Sequence, residues 1–340
     1  MDYILLIVGF IILIKGADMF VDGSVLISEH YGIPSLIIGL TVVAMGTSAP
    51  EAAVSITAAI DGSNGIAVGN IRGSNMFNLL VVLGVTAVIK PLPVGKSVLK
   101  VELPLSMAAA ALLPFLALDF FTREGHPLLS RVDGLIFLGL FILFLLMTIR
   151  SAKKQSSEQE KLPDAAEPAA GESVTQKDTS DAVQHDQGTN KKSRLGKGLI
   201  LALVGLAGVV GGGKLVVYTA TAIAESFGID QTLIGLTIVA IGTSLPELVT
   251  SAVAAVKGET DIAVGNVVGS NLFNILFVLA FSVIVNPITV QYISLIDSLI
   301  LTGASALALV VLAVSRKLNR IWGLIFIALY AAYTVYIIMR

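Results

Sequence analysis

Gly39-Leu40-Thr41-Val42-Val43-Ala44-Met45-Gly46-Thr47-Ser48-Ala49-Pro50-Glu51 sets a carboxylate directly after a proline, in a stretch otherwise apolar enough to sit in lipid. The same pattern returns from Gly235 to Glu247, ending Gly242-Thr243-Ser244-Leu245-Pro246-Glu247. A lone ionised acid at the centre of a bilayer costs ~2.5–3.5 kcal/mol on insertion scales, so two of them require a compensating partner. Pro50 removes a backbone N–H and clashes with the carbonyl four residues back, that of Gly46. Carbonyls from Ala44 to Thr47 are then expected to be released, and in lipid they must find partners or line a polar cavity. Glu51 lies about one turn beyond Thr47 and Ser48, so carboxylate, hydroxyls and loosened carbonyls converge on one face. Ala240, Thr243, Ser244 and Glu247 repeat the set. Oxygen ligands of this kind suit hard cations, Ca²⁺ above all and also Na⁺. Two neighbouring carboxylates repel unless a proton or cation lies between them, and one divalent ion neutralises both. The plainer alternative is a proline kink whose acid pairs with a nearby base, but no Lys or Arg recurs beside both copies.

Composition places these motifs in a membrane. Of 340 residues, 55% are hydrophobic and only 14% charged, and the apolar residues come in runs long enough to cross a hydrocarbon core of ~30 Å. The fold class expected is an all-α polytopic membrane protein with ten transmembrane helices. They are read near 3–27, 36–60, 64–89, 98–118, 131–150, 196–224, 232–256, 261–285, 293–315 and 321–339, with helices 2 and 7 broken at the Gly/Pro motifs. The first run has no basic segment before it and no small-residue cleavage site after it, so it reads as a retained helix. The absence of cysteine excludes disulfides and thiolate metal sites, and none of the three histidines falls in mid-span. Residues 151–195 are rich in Ser, Glu, Gln, Lys and Asp and too polar to bury a core, which reads as a disordered linker. The chain thus divides into 1–150, the linker 151–195, and 196–340.

An internal repeat orients the two halves. Shifting the chain by 196 residues aligns 38–80 with 234–276 without a gap, and 26 of those 43 positions are identical. Each half holds five expected spans, an odd number, so the second copy enters from the opposite side and the repeats are inverted, as in secondary transporters. Lys90, Lys96, Lys100, Arg150, Lys153, Lys154, Lys191, Lys192, Arg194, Lys197, Arg316, Lys317 and Arg320 all fall on one side of this layout. The excess of positive charge marks that side, with the linker, as cytoplasmic and both termini as external.

A second motif follows each first one: Gly69-Asn70-Ile71-Arg72-Gly73-Ser74-Asn75-Met76-Phe77-Asn78 and Gly265-Asn266-Val267-Val268-Gly269-Ser270-Asn271-Leu272-Phe273-Asn274. Asn70, Ser74 and Asn78, spaced by four, form a polar stripe on span three, while Gly69 and Gly73 have the small-xxx-small spacing of close helix packing. Alone, such residues serve packing as readily as binding. At the same offset from both acidic motifs, they read as ligands.

Together, the Gly-Thr-Ser-x-Pro-Glu and Gly-Asn-x-x-Gly-Ser-Asn-x-x-Asn pairs resemble the alpha-repeats of the calcium/cation antiporter superfamily, in particular its sodium/calcium exchanger branch. The resemblance implies a secondary antiporter of the cell membrane, working by alternating access and exchanging three Na⁺ for one Ca²⁺ in an electrogenic extrusion. It implies Glu51 and Glu247 as central ligands, Ser48, Ser244, Thr47 and Thr243 as coordinating hydroxyls, and Ala44 and Ala240 as carbonyl donors. Ser74, Ser270, Asn78 and Asn274 would complete the sites. Ca²⁺ and Na⁺ are cargo, no cofactor or covalent chemistry is implied, the chain is no enzyme, and a monomer would suffice. Some relatives, including potassium-dependent ones, carry Asp at the position of Asn274. This chain has Asn in both halves, which leaves two carboxylates and leans against K⁺ cotransport. A proton/calcium antiporter of the same fold, and a passive cation channel using the same oxygen ring, are the alternatives.

The remaining polar residues have plainer expectations. Arg72, opposite Val268 in the repeat, points about 200° from Asn70 and reads as a structurally paired or snorkelling arginine. Lys15 and Asp18 can pair at i,i+3 on span one, on the face that also carries Asp22. Thr41, Thr237, Ser55 and Ser251 either line access paths or bond back to their own helices.

Overall fold

The computed structural model describes residues 2–118, 127–159, 183–228, 240–290 and 292–339. The structure is almost wholly helical, in the order α1 (Asp2–Tyr31), α2 (Ser35–Thr47), α3 (Ala49–Ile60), α4 (Asn64–Ile89), α5 (Val98–Ala117), α6 (Arg131–Gln159), α7 (Val183–Ser226), α8 (Ala240–Thr243), α9 (Leu245–Lys257), α10 (Thr260–Val285), α11 (Tyr292–Ser315) and α12 (Arg320–Met339). Among the described residues, eight helices are long and apolar enough to cross a membrane, and α2 with α3 forms a ninth candidate bent by 50°. The expected span 232–256, and Thr237 with it, begins in 229–239, outside the described residues. Helical backbone on either side of the expected linker reaches Gln159 and resumes at Val183, further than the span boundaries read from sequence; 160–182 lie outside the described residues.

Burial ranks the helices. The most apolar 18-residue windows of α4 and α10 are 78% and 83% buried, against 33% for α1 and 11% for α12. The Asn-rich helices therefore occupy the centre, and the uniformly apolar ones turn Ile4, Ile7, Ile11, Leu324 and Ile338 outward, as helices facing hydrocarbon do. Within α4 and α10 the backbone widens into π-helical turns at Asn78–Val82 and Asn274–Leu279. Such turns recur at functional positions because the extra residue re-aims the side chains around it.

The halves are interlocked. Two short antiparallel pairs clip loops of one half to loops of the other: β1 (Leu92–Pro93) with β4 (Lys317–Leu318), and β2 (Leu128–Leu129) with β3 (Ile288–Thr289). α12 packs on α4 and α6 on α10, so the last helix of each half covers the central helix of the other. α1 and α7 lie along one another at backbone distance. A Cβ at Gly16 would stand 2.6 Å from Val209 N, and one at Gly205 2.4 Å from Phe20 N. Only glycine permits that approach, which gains dispersion contact along both backbones.

Candidate functional site

Ser48 lies between α2 and α3, and Ser244 between α8 and α9. Each is the N-cap of the helix that follows, with φ/ψ near −82°/8° and −91°/7°, and Pro50 and Pro246 occupy the first turn, where a missing N–H costs nothing. Ser-x-x-Glu in this setting is the sequence of a capping box, in which serine and glutamate would each bond the other's backbone. Neither serine makes a side-chain cap bond. Both hydroxyls cross to the opposite half. Ser48 Oγ donates to Glu247 Oε1 at 2.7 Å, and Ser244 Oγ donates to Glu51 Oε1 at 2.9 Å. Hydrogen bonds to an ionised acceptor are about twice as strong as neutral ones, and the helix N-termini add a positive dipole end beside each acid.

Around this crossed pair, Ser74 Oγ donates to Glu51 Oε1 at 3.2 Å and lies 2.9 Å from Ser244 Oγ. Asn274 Nδ2 donates to Ser74 Oγ and to Asn75 Oδ1. Ser270 Oγ donates to the Ala44 carbonyl at 3.4 Å, the same carbonyl that accepts from Ser48 N and Thr47 Oγ1. That carbonyl thus keeps its helical bond and gains hydroxyls from both halves. Glu51, Glu247, Ser48, Ser244, Thr47, Asn78 and Asn274 are all 0% exposed, with Ser74 at 2% and Ser270 buried. Thr243 is half-buried and Ala240 opens α8; the counterpart of the Ala44 contact is not among the described contacts.

Several buried oxygens in this cluster have no partner among the described residues: Glu51 Oε2, Glu247 Oε2, Asn78 Oδ1 and Asn274 Oδ1. An unpaired buried acceptor costs about 1–3 kcal/mol, more when charged. Four such oxygens, two of them on carboxylates, are a set that a hard divalent cation satisfies while cancelling both charges. Among the described residues no group of three or more His, Cys, Asp or Glu could hold a metal.

The residues that hold the candidate ligands in place are only partly legible in the sequence. Asn70 Nδ2 donates to Ser55 Oγ (2.9 Å) and to the Glu51 carbonyl (3.3 Å). Asn266 Nδ2 repeats this with Ser251 Oγ (2.9 Å) and the Glu247 carbonyl (3.4 Å). Their Oδ1 atoms accept from the other half, from Thr243 and Thr47 respectively. Asn75 and Asn271 donate to each other's carbonyls. The 196-residue repeat contains the signal for these asparagines, but which partner each would take depends on the crossing of the halves. Ser55 and Ser251 are acceptors for these amides, whereas Thr41 bonds back to the Ile37 carbonyl.

The charges away from the site divide. Arg72 pairs with Asp297 of α11 at 3.9 Å, both nearly buried, in agreement with a structural role. The Lys15–Asp18 pair expected within α1 does not form. Asp18 and Asp22 both reach Lys257 of α9 instead, because packing brings that helix end closer than a neighbour three residues away.

Comparison with known proteins agrees with this geometry. The family described as Sodium/calcium exchanger protein matches residues 1–150 and 197–339. The chain is 31% identical to the Sodium/calcium exchanger MaX1 of Methanosarcina acetivorans, covering 98% of this chain and 97% of that one. It is 37% identical to the Inner membrane protein YrbG of Escherichia coli over 83% of this chain and 79% of that one. The solved structure of the sodium-calcium exchanger NCX_Mj superposes with a TM-score of 0.79 at 29% identity, covering 98% and 97% of the two chains. The paired motifs, the crossed serine–glutamate bonds and the full-length matches lead to one conclusion: this chain belongs to the sodium/calcium exchanger family of membrane transporters.

Proposed function

We propose that the chain is a secondary antiporter that moves Na⁺ against Ca²⁺ by alternating access, with the sodium gradient driving electrogenic Ca²⁺ extrusion across the cell membrane. The observation that carries this is the crossed carboxylate pair. Glu51 and Glu247 come from opposite halves, are fully buried, and each leaves one oxygen without a partner among the described residues. The same reading assigns the twelve predicted residues, Glu51, Glu247, Ser48, Ser244, Thr47, Thr243, Asn78, Asn274, Ser74, Ser270, Ala44 and Ala240, to the ions. Hydroxyl, amide and carbonyl oxygens around the acids would hold Na⁺, and the acids together Ca²⁺. It also takes 1–150 and 196–340 as inverted five-helix repeats, ten helices in all, broken in the second and seventh, with 151–195 a cytoplasmic linker and both termini external. Four helices then line the ions, and the α1/α7 pair moves across them.

Proteoliposomes test this with Na⁺, K⁺ and H⁺ gradients imposed separately. Uptake of ⁴⁵Ca²⁺ driven by an outward Na⁺ gradient, absent with K⁺ or a pH gradient alone, is the expected result. Uptake driven by a pH gradient without sodium would overturn it in favour of proton exchange. Flux indifferent to the ion on the far side would overturn it in favour of a channel.

A further inference from the structure

Two residue pairs outside the carboxylate site are related by the 196-residue offset, with their charges exchanged. Lys257, the last residue of α9, binds Asp18 at 2.7 Å and Asp22 at 2.5 Å, both on α1. The image of Lys257 in the first half is Asp61 (257 minus 196), just past α3, and the image of Asp18 in the second half is Lys214 (18 plus 196), on α7. The offset holds along these helices. Gly9 maps onto Gly205 and Gly16 onto Gly212, and the close approach of Gly212 to Gly9 is the image of that of Gly205 to Gly16. Gly32 and Gly228, beyond the two helix ends, share a left-handed φ of 60° and 73°. Each pair therefore joins the first helix of one half to the second helix of the other.

Only one of the two pairs is made. Asp61 and Lys214 are exposed on the walls of a cavity of about 640 Å³ between α3 and α7, and among the described residues neither has an ion-pair partner. That cavity extends to Pro50, Thr243 and Pro246, the chain neighbours of Glu51, Ser244 and Glu247. The equivalent crevice, between α1 and α9, is lined by Asp18 and Lys257 and by none of the predicted ligands. On that side α1 lies directly against α9. A single exposed ion pair would be unremarkable. Here Asp18 and Lys257 have Lys214 and Asp61 as their images, while Asp22 maps onto Tyr218, so the second pair is complementary with one acid and one base, although its members stand apart.

We propose that Lys257–Asp18/Asp22 and Asp61–Lys214 are alternating latches. Each closes the crevice on its own side of the carboxylate site, and one forms as the other breaks. α1 and α7 are packed backbone to backbone, so they move as one body. Drawing that body onto α9 at one end leaves α3 at the other. Exchanging one partly exposed pair for another changes little in free energy, and each biases the ratio of the two states by no more than about five-fold. The bound ions then decide which side is open. The proposal rests on alternating access.

The chain contains no cysteine, so a single reporter thiol at Val54, on the α3 wall of the cavity and 37% exposed, can be followed in proteoliposomes with a membrane-impermeant maleimide. Asp61→Lys, which sets two lysines face to face, is expected to speed modification of Val54→Cys at least two-fold and to slow Na⁺-driven Ca²⁺ exchange. Lys257→Glu, which opposes Asp18 and Asp22, is expected to slow modification instead. Asp61→Lys with Lys214→Asp should restore both readouts, and Asp61→Asn, the milder change, should show the same sign as Asp61→Lys. If Na⁺ or Ca²⁺ alters the reporter's rate in the parent but no charge variant does, the latches are overturned and alternating access stands. Failure of the double variant to restore the rate overturns them too. If no ion alters the parent's rate, alternating access itself falls, and the latches with it.

Discussion

Replacing Glu247 by Gln removes one charge from the site and little else. The glutamine oxygen still accepts the Ser48 hydroxyl that Glu247 Oε1 accepts at 2.7 Å, and the amide replaces the oxygen that has no protein partner. A divalent ion about 2.4 Å from a carboxylate oxygen is attracted by about 3.5 kcal/mol even at the dielectric of bulk water. That floor corresponds to about a 300-fold loss of Ca²⁺ affinity, and a site excluded from water raises it. The fold should not suffer, because neutralising one of two fully buried acids relieves repulsion in the empty protein. Isothermal titration of the purified variant with Ca²⁺, beside thermal unfolding and ⁴⁵Ca²⁺ uptake into Na⁺-loaded vesicles, separates the two effects. Uptake should vanish while the melting temperature stays level or rises. A folded Glu247→Gln protein that binds Ca²⁺ within five-fold of the parent would refute the carboxylate cage.

Other consequences follow from the packing. Arg72→Met removes the 3.9 Å ion pair with the nearly buried Asp297 and should destabilise the protein in detergent unfolding, with Arg72→Met/Asp297→Met recovering much of the loss. Gly205→Ala pushes a methyl to 2.4 Å from Phe20 N and should cost about 1–3 kcal/mol; Gly139→Ala, in a helix interior where nothing lies within 4 Å, should leave the melting temperature level or slightly raised. Asn266→Ala removes the amide that joins Ser251, the Glu247 carbonyl and Thr47. It should lose about 1–3 kcal/mol and slow exchange, and Asn70→Ala should do the same from the other half.

Much of this protein is determined locally, and so the sequence by itself determined it. Twenty-residue apolar runs can only be spans, and span boundaries read at 64–89 and 261–285 agree with α4 (Asn64–Ile89) and α10 (Thr260–Val285). The 26 identities between 38–80 and 234–276 are a property of the chain alone. So is the choice of oxygen-bearing side chains beside each proline, and every one of the twelve predicted ligands comes from those two repeats. What depends on the meeting of the halves was decided by tertiary structure. Ser-x-x-Glu written after a helix break specifies a capping box to any local reading, yet Ser48 and Ser244 each serve the acid of the other repeat. Lys15 and Asp18 are neighbours in sequence, but Asp18 takes Lys257, which is 239 positions away. The physical reason is common to both cases. A short polar group or a surface acid bonds the best-placed partner in space, and only packing the two repeats against one another makes a distant residue that partner. The stretch Gly39–Glu51 holds four of the twelve predicted ligands, and the fold brings others of the twelve to it.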